Sequence, residues 1–254
     1  MRSFSNSTST KGIAAIVGVG PKLGSSVARK FAQEGYTIAI LSRDLDKLSR
    51  LADEIACEAK TQVFAIRIDC ADCKSVREAF EGVLSLGSVE VLVYNACEPA
   101  SCQPSNFMAI SPESFQRSLA GSAHGAFYCA QQVIPGMVER GRGTIIFTGS
   151  SASLNGFAGY LELKYYFFSY IGCGKFALRG LSQCLAKEFF ASGIHVAHIV
   201  IDGAISDPRS SKGDQSTDTC MDPNIIAQNY WYIHTQDKSA WTQELDLRSP
   251  NQRF

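Results

Sequence analysis

The strongest constraint on the fold of this chain is a regular alternation of short apolar runs with segments of helical periodicity. The runs "IAAIVGV" from Ile13 and "YTIAIL" from Tyr36 are rich in β-branched residues, which favours buried strands. Between them, "LGSSVARKFAQEG" has helical periodicity and ends at Gly35, a residue typical of helix C-termini. This order predicts two parallel strands with a helix packed on their sheet.

The same alternation continues along the chain. Further strands are predicted at "QVFAIRI", "VEVLVYN", "GTIIFTG", "IHVAHIVI" and "TQELDLR". The helices predicted between them include one long helix over 111–140, with Ser111 as its N-cap, and another over 174–190. The pattern predicts an α/β fold built on a doubly wound parallel sheet with helices on both faces.

Length and charge limit the number of domains and the kinds of partner. A chain of 254 residues fits one domain with a substantial core. Residues 1–11 are polar and Ser/Thr-rich, which predicts a flexible tail before a domain at 12–254. Basic and acidic residues are balanced at 24 each, which gives no argument for a nucleic-acid partner. No apolar run is long enough to span a membrane, so a small-molecule substrate is the default partner by elimination.

The cysteines predict a reducing compartment. There are nine of them, an odd number, scattered through predicted helices and strands, and the N-terminus lacks the apolar segment of a secretory signal. These features predict a cytoplasmic protein. Cys70 and Cys73 form a CxxC pair, but no second pair accompanies it, so we expect structural thiols and no metal site.

The stretch "VGVGPKLGSS" predicts a nucleotide-binding turn. It follows the first strand and opens the first helix, where a glycine turn lets backbone N–H groups and a helix N-terminus meet a pyrophosphate. Gly18, Gly20 and Gly24 supply the turn and the close approach, Leu23 lies in the same turn, and Lys22 adds a positive charge. The alternative is a merely tight turn, since a glycine pattern alone is weak evidence.

The end of the second predicted strand bears on the choice of coenzyme. An NAD-specific site presents an acid there to the ribose 2′-hydroxyl, but this chain has Ser42 followed by Arg43. A guanidinium suits a 2′-phosphate by charge and by forked geometry, which favours NADP(H) over NAD(H). The alternative for Arg43 is a solvated side chain at a helix start, and Asp44 fits an N-cap.

From about Gly12 to Arg248 the chain resembles the short-chain dehydrogenase/reductase family. The matching segments are the glycine turn, "RIDC" with Asp69, "VYNA" with Asn95, "FTGSS", "GKFAL" and "IVIDGAI". The resemblance implies a single-domain Rossmann fold with a seven-stranded parallel sheet, oxidoreductase activity on a carbonyl or alcohol, and a homo-oligomer. It also implies that Asp69 meets the adenine and that Asn95 belongs to the coenzyme site.

The resemblance carries over only part of the family's catalytic set. Lys175 matches the lysine that holds the coenzyme ribose, and Ser151 matches the serine that hydrogen-bonds the substrate carbonyl. The family's tyrosine lies four residues before that lysine, where this chain has Ile171, and the family's asparagine is replaced by Ser122. In "VYNA", Tyr94 replaces the first asparagine of the family's stretch and Cys97 its glycine, and Asp202 replaces a proline after the sixth strand.

Three interpretations of the missing tyrosine remain open. Tyr170 could serve as the acid, but it lies five residues before Lys175, about 140° around a regular helix. Tyr160 and Lys164 have the four-residue spacing but lie too close to Ser151. Alternatively, residues 164–171, "KYYFFSYI", form an insertion with no amphipathic period, expected as a loop or an irregular helix start over the cleft.

Two functions follow from these observations. The first is an NADP(H)-dependent oxidoreductase with Ser151, Lys175 and Tyr170 as catalytic candidates and with impaired catalysis, because losing a positioned acid costs about 10² to 10⁴ in rate. The second is a catalytically deficient NADP(H)-binding protein, either a sensor or the dimer partner of an active relative.

Overall fold

The structure is a computed structural model that describes residues 11–97, 107–154, 168–206 and 220–249, the side chains of 168–170 excepted. Residues 1–10 of the predicted tail lie outside the described residues, and Lys11 donates a hydrogen bond to the Glu34 carbonyl. Of the predicted insertion, 164–167 lie outside the described residues and 168–171 belong to a helix.

Seven strands form one sheet. They are β1 (Ile13–Val17), β2 (Thr37–Ser42), β3 (Val63–Arg67), β4 (Val89–Tyr94), β5 (Gly143–Thr148), β6 (Ile194–Asp202) and β7 (Glu244–Arg248). All neighbouring strands are parallel, in the order β3-β2-β1-β4-β5-β6-β7. The predicted seven-stranded Rossmann sheet is confirmed. The strand order reverses between β1 and β4, and open α/β sheets bind ligands beyond the carboxyl ends of the strands at such a point.

In the part of the chain that the structure describes, seven α-helices connect the strands. They are α1 (Leu23–Gln33), α2 (Leu45–Ala59), α3 (Cys73–Leu86), α4 (Pro112–Leu119), α5 (Gly125–Arg140), α6 (Phe168–Phe189) and α7 (Pro223–His234). Side chains cap the N-termini of four of them, as the Asp44 carboxylate accepts from the Lys47 N–H and the Ser111 hydroxyl accepts from the Ser114 N–H. The predicted caps at Asp44 and Ser111 are therefore confirmed.

The helices pack on both faces of the sheet, as predicted. One apolar core is formed with α3, α5 and α6, where Phe80 and Met137 are fully buried. The other is formed with α1, α2 and α7, where Phe31, Ile55 and Tyr230 are fully buried. Burying each such side chain contributes about 1.5–3 kcal/mol, so the two cores together fix the sheet and its carboxyl edge.

Several boundaries differ from the sequence prediction. The first strand ends at Val17, because Gly18 turns the chain with a φ of 83°. The helix predicted over 111–140 is interrupted by a π-helical segment, Ala120–His124, between α4 and α5. The sixth helix begins at Phe168, earlier than the predicted residue 174, so the aromatic segment ends in regular helix. Within the described ranges, no helix combines the length and apolarity that a membrane span requires.

Candidate functional site

The glycine turn after β1 is held by backbone hydrogen bonds. The Gly18 N–H donates to the Leu41 carbonyl at 2.8 Å, which ties the turn to the end of β2. Gly18 has a positive φ, and a Cβ there would overlap the backbone of Ala96. At Gly24 a Cβ would lie 2.8 Å from Val19 Cα. These two positions therefore need glycine, whereas Gly20 has open space around it.

The N-terminus of α1 differs from those of the capped helices. No side chain caps it at Lys22, and its first turn contains no acidic residue. Four N–H groups at a helix start lack intrahelical partners, and the helix dipole favours a negative charge there. Leu23 and Gly24 open this helix and are buried. The uncapped helix start beside the glycine turn thus fits the phosphate of a ligand.

Asn95 connects two neighbouring strands at this turn. Its N–H donates to the Val17 carbonyl at 2.8 Å, and its Nδ2 donates to the Gly18 carbonyl at 2.9 Å. The side-chain amide therefore fixes the orientation of the turn. Within the described residues, the Asn95 side chain stabilises the glycine turn.

A cavity of about 460 Å³ lies at the carboxyl edge of the sheet, over the β1–β4 switch point. Its walls are residues of the glycine turn, of the segments after β2, β3 and β4, and of α4 with the π segment. They are Gly18, Val19, Gly20, Ser42, Arg43, Ile68, Asp69, Cys70, Ala71, Asn95, Ala96, Cys97, Arg117 and Gly121. Among the predicted coenzyme residues, the structure therefore brings Gly18, Gly20, Ser42, Arg43, Asp69 and Asn95 to one cavity.

Lys22 occupies a different position. It is exposed and contributes to a neighbouring polar cavity between α1 and α7, together with Arg29 and Asn224. The structure thus does not place Lys22 in the wall of the main cavity, where the sequence analysis expected its charge. The Lys22 side chain therefore leaves the glycine turn uncovered.

The charged side chains of the main cavity are two arginines and one acid. Arg43 follows β2, and Arg117 lies in the last turn of α4. Asp69 follows β3, and its carboxylate accepts a hydrogen bond from the Ala71 N–H at 3.0 Å. No acid follows Ser42 at the end of β2 in the cavity wall. The cavity therefore has room and charge for a phosphorylated adenosine.

Lys175 lies outside this cavity wall, on α6. Its side chain is buried, and Nζ donates to the Thr148 carbonyl at 2.9 Å. The Thr148 hydroxyl in turn lies 2.7 Å from the hydroxyl of Tyr230, a residue of α7 whose pKa burial raises. Lys175 is thereby fixed to the end of β5, beside the loop that carries Ser151.

The loop after β5 forms a short 3₁₀ turn, Ser151–Ser153. The Ser153 hydroxyl donates to the Ser150 carbonyl at 2.7 Å, which closes the turn. Gly149 lies against the ring of His198, where an added Cβ would overlap the imidazole. The packing of Gly149 against His198 therefore fixes the position of the loop that carries Ser151.

An ion pair supports this loop from β7. Arg179 of α6 binds Glu244 through two hydrogen bonds of 2.6 and 2.7 Å, and its Nη1 lies 3.4 Å from the Ser153 carbonyl. His198 Nδ1 lies 3.2 Å from the same carboxylate. Burial lowers the pKa of His198 to about 4, against the opposing effect of Glu244. The Arg179 hydrogen bond lowers the pKa of Glu244, so the imidazole is neutral beside a carboxylate at neutral pH.

The position of the family's tyrosine is occupied by Ile171, which is 6% exposed. Tyr170 lies in the first turn of α6, and its side chain is outside the described residues, as are Tyr160 and Lys164. The backbone of α6 is regular helix from Phe168 onward, so positions 170 and 175 are about 140° apart around the axis.

Ser122, at the position of the family's asparagine, lies in the π segment and is buried. A Cβ on Gly174 would lie 2.8 Å from its hydroxyl oxygen, so α6 and the π segment pack closely next to Lys175. π-Helical turns occur often at functional sites. Within the described ranges, no group of three or more His, Cys, Asp or Glu side chains is arranged to hold a metal ion.

The family model for short chain dehydrogenases matches residues 12–215, most of the chain. The chain belongs to the short-chain dehydrogenase family. The NADP-dependent 3-hydroxy acid dehydrogenase YdfG of Salmonella typhi is 24% identical to it over 253 residues, covering 95% of this chain and 96% of the relative. Curated relatives of the family are named as oxidoreductases, in agreement with the expected enzyme class.

Solved structures of the family share this architecture. A short-chain dehydrogenase from Rhodopseudomonas palustris matches with a TM-score of 0.78 and 28% identity, over 93% of this chain and 98% of that one. An alcohol dehydrogenase from Thermococcus sibiricus, complexed with 5-hydroxy-NADP, matches with a TM-score of 0.80 and 24% identity, over 96% and 98%. These matches agree with the single Rossmann fold described above.

Sequence reasoning missed several residues of the site. Arg117 and Cys70 line the cavity although no role was predicted for either, and Cys70 directly follows Asp69 in "RIDC". His198 and Glu244 meet across β6 and β7, far from Ser151 in sequence. Arg117 lay inside the long helix predicted over 111–140, five residues before the family's asparagine position, and no motif singled it out.

Proposed function

We propose that this protein is an NADP(H)-dependent oxidoreductase acting on a carbonyl or an alcohol. The observation that carries the proposal is the cavity at the switch point, in which Ser42 ends β2 and Arg43 follows it, where an acid would accept a ribose diol. A relative and a fold neighbour whose names include NADP support the same coenzyme. The bound coenzyme would supply or accept the hydride.

The residues of the cavity would hold the adenosine half of the coenzyme. The uncapped start of α1 and the glycine turn suit a pyrophosphate, which needs N–H donors and no competing acid. The guanidinium of Arg43 would bind the 2′-phosphate, and Arg117 would add positive charge from α4. Asp69 and Asn95 then position the base and the turn.

The second half of the site would orient the substrate. The Ser151 hydroxyl is held by the loop after β5 and would donate to the substrate oxygen. The Lys175 ammonium, fixed to the Thr148 carbonyl, would bind ribose hydroxyls and favour negative charge on that oxygen. A proton would then come from solvent, or from Tyr170 if its hydroxyl reaches the cleft.

A calorimetric titration of NADPH and NADH into the wild type and Arg43→Ala tests the coenzyme. We expect NADPH affinity to fall about 10- to 100-fold and NADH affinity to fall less than about threefold, because only NADPH carries the 2′-phosphate. Arg50→Ala removes the same charge from α2 outside the cavity and should leave both affinities unchanged. Equal losses for the two coenzymes, or no binding of either by the wild type, would refute the proposal.

The alternative is an NADP(H)-binding protein without appreciable turnover. Ile171, buried where the family places its acid, favours it. Oxidation of NADPH with a panel of aldehydes, ketones and quinones distinguishes the two functions. Turnover that depends on the carbonyl and is lost in Lys175→Met supports the enzyme, whereas tight binding of NADPH without oxidation across the panel supports the alternative.

A homo-oligomer, a cytoplasmic location and the single domain at 12–254 remain predictions made from the family resemblance and the sequence. The substrate of the oxidoreductase also remains to be identified. Analytical ultracentrifugation of the purified chain tests the oligomer directly.

A further inference from the structure

Cys70 is a buried thiol at the wall of the coenzyme cavity. It follows β3, next to Asp69, and its remaining exposure is 9%. The residue therefore borders the space that a small solute would occupy in the cavity. Neither the binding of a coenzyme nor the catalytic set proposed above gives this thiol a task.

A second thiol reaches the same place from α5. A Cβ on Gly125 would lie 2.7 Å from Cys70 Cβ, so the helix touches Cys70 at this glycine. Cys129 lies four residues further along α5, on the same helical face, and is fully buried. The Tyr94 hydroxyl, which donates to the Gly121 carbonyl, lies against Gly125 as well. Two free thiols and a phenol thus share one site below the cavity.

The two thiols differ in their surroundings. A hydrogen bond from the Cys129 thiol lowers the pKa of Cys70, against the effect of its burial. Burial and the neighbouring Cys70 raise the pKa of Cys129 well above its usual value. Cys70 lines the cavity wall and Cys129 is fully buried, so Cys70 is the thiol that meets a solute first. The thiol behind it is placed to react second.

We propose that Cys70 is a modification site for hydroperoxides that enter the coenzyme cavity, and that Cys129 converts the product into a Cys70–Cys129 disulfide. In the first step the Cys70 thiolate attacks a peroxide oxygen, an S–O bond forms, the O–O bond breaks, and the leaving hydroxide takes a proton to become water. In the second step the Cys129 sulfur displaces that hydroxyl, an S–S bond forms, and the Cys129 proton leaves with it as water. The peroxide is the oxidant and both sulfurs are oxidised.

This pairing departs from the CxxC motif of the sequence. Cys73, the other cysteine of that motif, is exposed at the first position of α3, whereas Cys70 is turned toward α5. Cys97 also lines the cavity and is exposed. Three disulfides of Cys70 are therefore distinguishable, with Cys73, with Cys97 and with Cys129, and only the last agrees with the proposal.

Peptide mapping of the whole protein separates these outcomes. The chain is treated with hydrogen peroxide at neutral pH, free thiols are alkylated, and the protein is digested with trypsin without reduction. Cys70 lies in the peptide 68–74, Cys97 in 78–117 and Cys129 in 118–140. We expect 68–74 linked to 118–140 with the loss of two hydrogen atoms. The same linkage in Cys73→Ser assigns the bond to Cys70, and Cys184→Ser is a surface control that should not alter it.

Linkage of 68–74 to 78–117, a bond within 68–74, or alkylation of Cys70 and Cys129 at the rate of untreated protein would overturn the proposal. Because the mapping uses the wild-type chain, it does not depend on whether a Cys129→Ala variant folds. If that variant folds, Cys70 should stop at the sulfenic acid, which dimedone traps as a mass adduct.

A second measurement rests on the proposed function, namely protection by coenzyme. With NADPH at ten times its dissociation constant, about one-eleventh of the protein is free, so disulfide formation should slow about tenfold. If the protein binds no NADPH and the disulfide still forms, the result contradicts the proposed coenzyme but not the proposed thiol site. Unslowed formation in protein saturated with NADPH contradicts access through the cavity.

Discussion

The two halves of the cleft use their polar groups in opposite ways. Around β1 to β4, the helix start lacks a cap and Arg43 and Arg117 are exposed at the cavity, so the groups that bind charge are left available. Around β5 to β7, Lys175 is bonded to Thr148, and Glu244 is bonded to its neighbours. The first half is built to receive a ligand, whereas the second holds its own loop in place. The glycine turn that matches the family is present, whereas Ile171 stands where the family has its acid.

Acid is expected to have the largest effect on stability, because the second half contains histidines that are neutral in the folded protein. Burial lowers the pKa of His198 and of His234 to about 4. The unfolded chain binds protons below about 6.5, so stability is lost as the pH falls from there toward 4. We expect the free energy of unfolding to fall by about 4 kcal/mol between pH 7 and pH 5, about 2 kcal/mol for each histidine.

Chemical denaturation at a series of pH values measures this loss. His198→Asn should lose about 2 kcal/mol of the pH dependence, the share of its own imidazole, while His195 and His234, whose pKa values burial also lowers, keep theirs. His124→Asn, at an exposed histidine, is the matched control and should follow the wild type. A wild-type stability that is flat between pH 7 and pH 5 would contradict the buried neutral state.

Gly18→Ala tests whether the first half depends on its backbone. A Cβ there meets the Ala96 backbone at a positive φ, so we expect a loss of about 3 kcal/mol in the free energy of unfolding, with loss of NADPH binding. Gly20→Ala has open space and should change stability by less than about 0.5 kcal/mol. If the two variants are equally stable, the proposed constraint on the turn is wrong.

Arg117→Ala tests how much the second arginine of the cavity contributes to NADPH affinity. The guanidinium is exposed at the cavity, so solvent screens its charge, and we expect NADPH affinity to fall about fivefold, less than for Arg43→Ala. Raising the salt concentration should shrink this difference, because screening weakens exposed charges. Calorimetry at two ionic strengths makes the measurement, and an effect larger than that of Arg43→Ala would reassign the phosphate site.

Tyr170→Phe has the smallest expected effect. Because positions 170 and 175 are about 140° apart on a regular helix, we expect the rate of NADPH oxidation to change less than about threefold. Steady-state rates with any substrate found in the panel provide the test. A drop in rate of about 10²-fold or more would instead indicate that Tyr170 is the acid and that the two halves form a complete active site.

The sheet, the helix caps and the glycine turn could be predicted from the sequence, because each depends on residues that are close together along the chain. Apolar runs and helical periodicity describe neighbours along the chain, and Asp44 or Ser111 cap a helix within three residues. The start of α6 was misplaced because its aromatic first turn has no amphipathic period. The contacts of Glu244 and Cys129 with residues distant in sequence depend on how elements pack, which no local pattern encodes.

The wide turn at Ala120–His124 has a consequence for how this chain tolerates change in length. In that turn the Gly125 N–H donates five residues back, to Ala120, while the Gly121 carbonyl accepts the Tyr94 hydroxyl. A π turn holds about one residue more than an α turn, so deleting one residue there would restore ordinary helix and keep the faces of α4 and α5 in place. A deletion within α5 itself would instead rotate the following residues by about 100° and turn the apolar stripe away from the sheet.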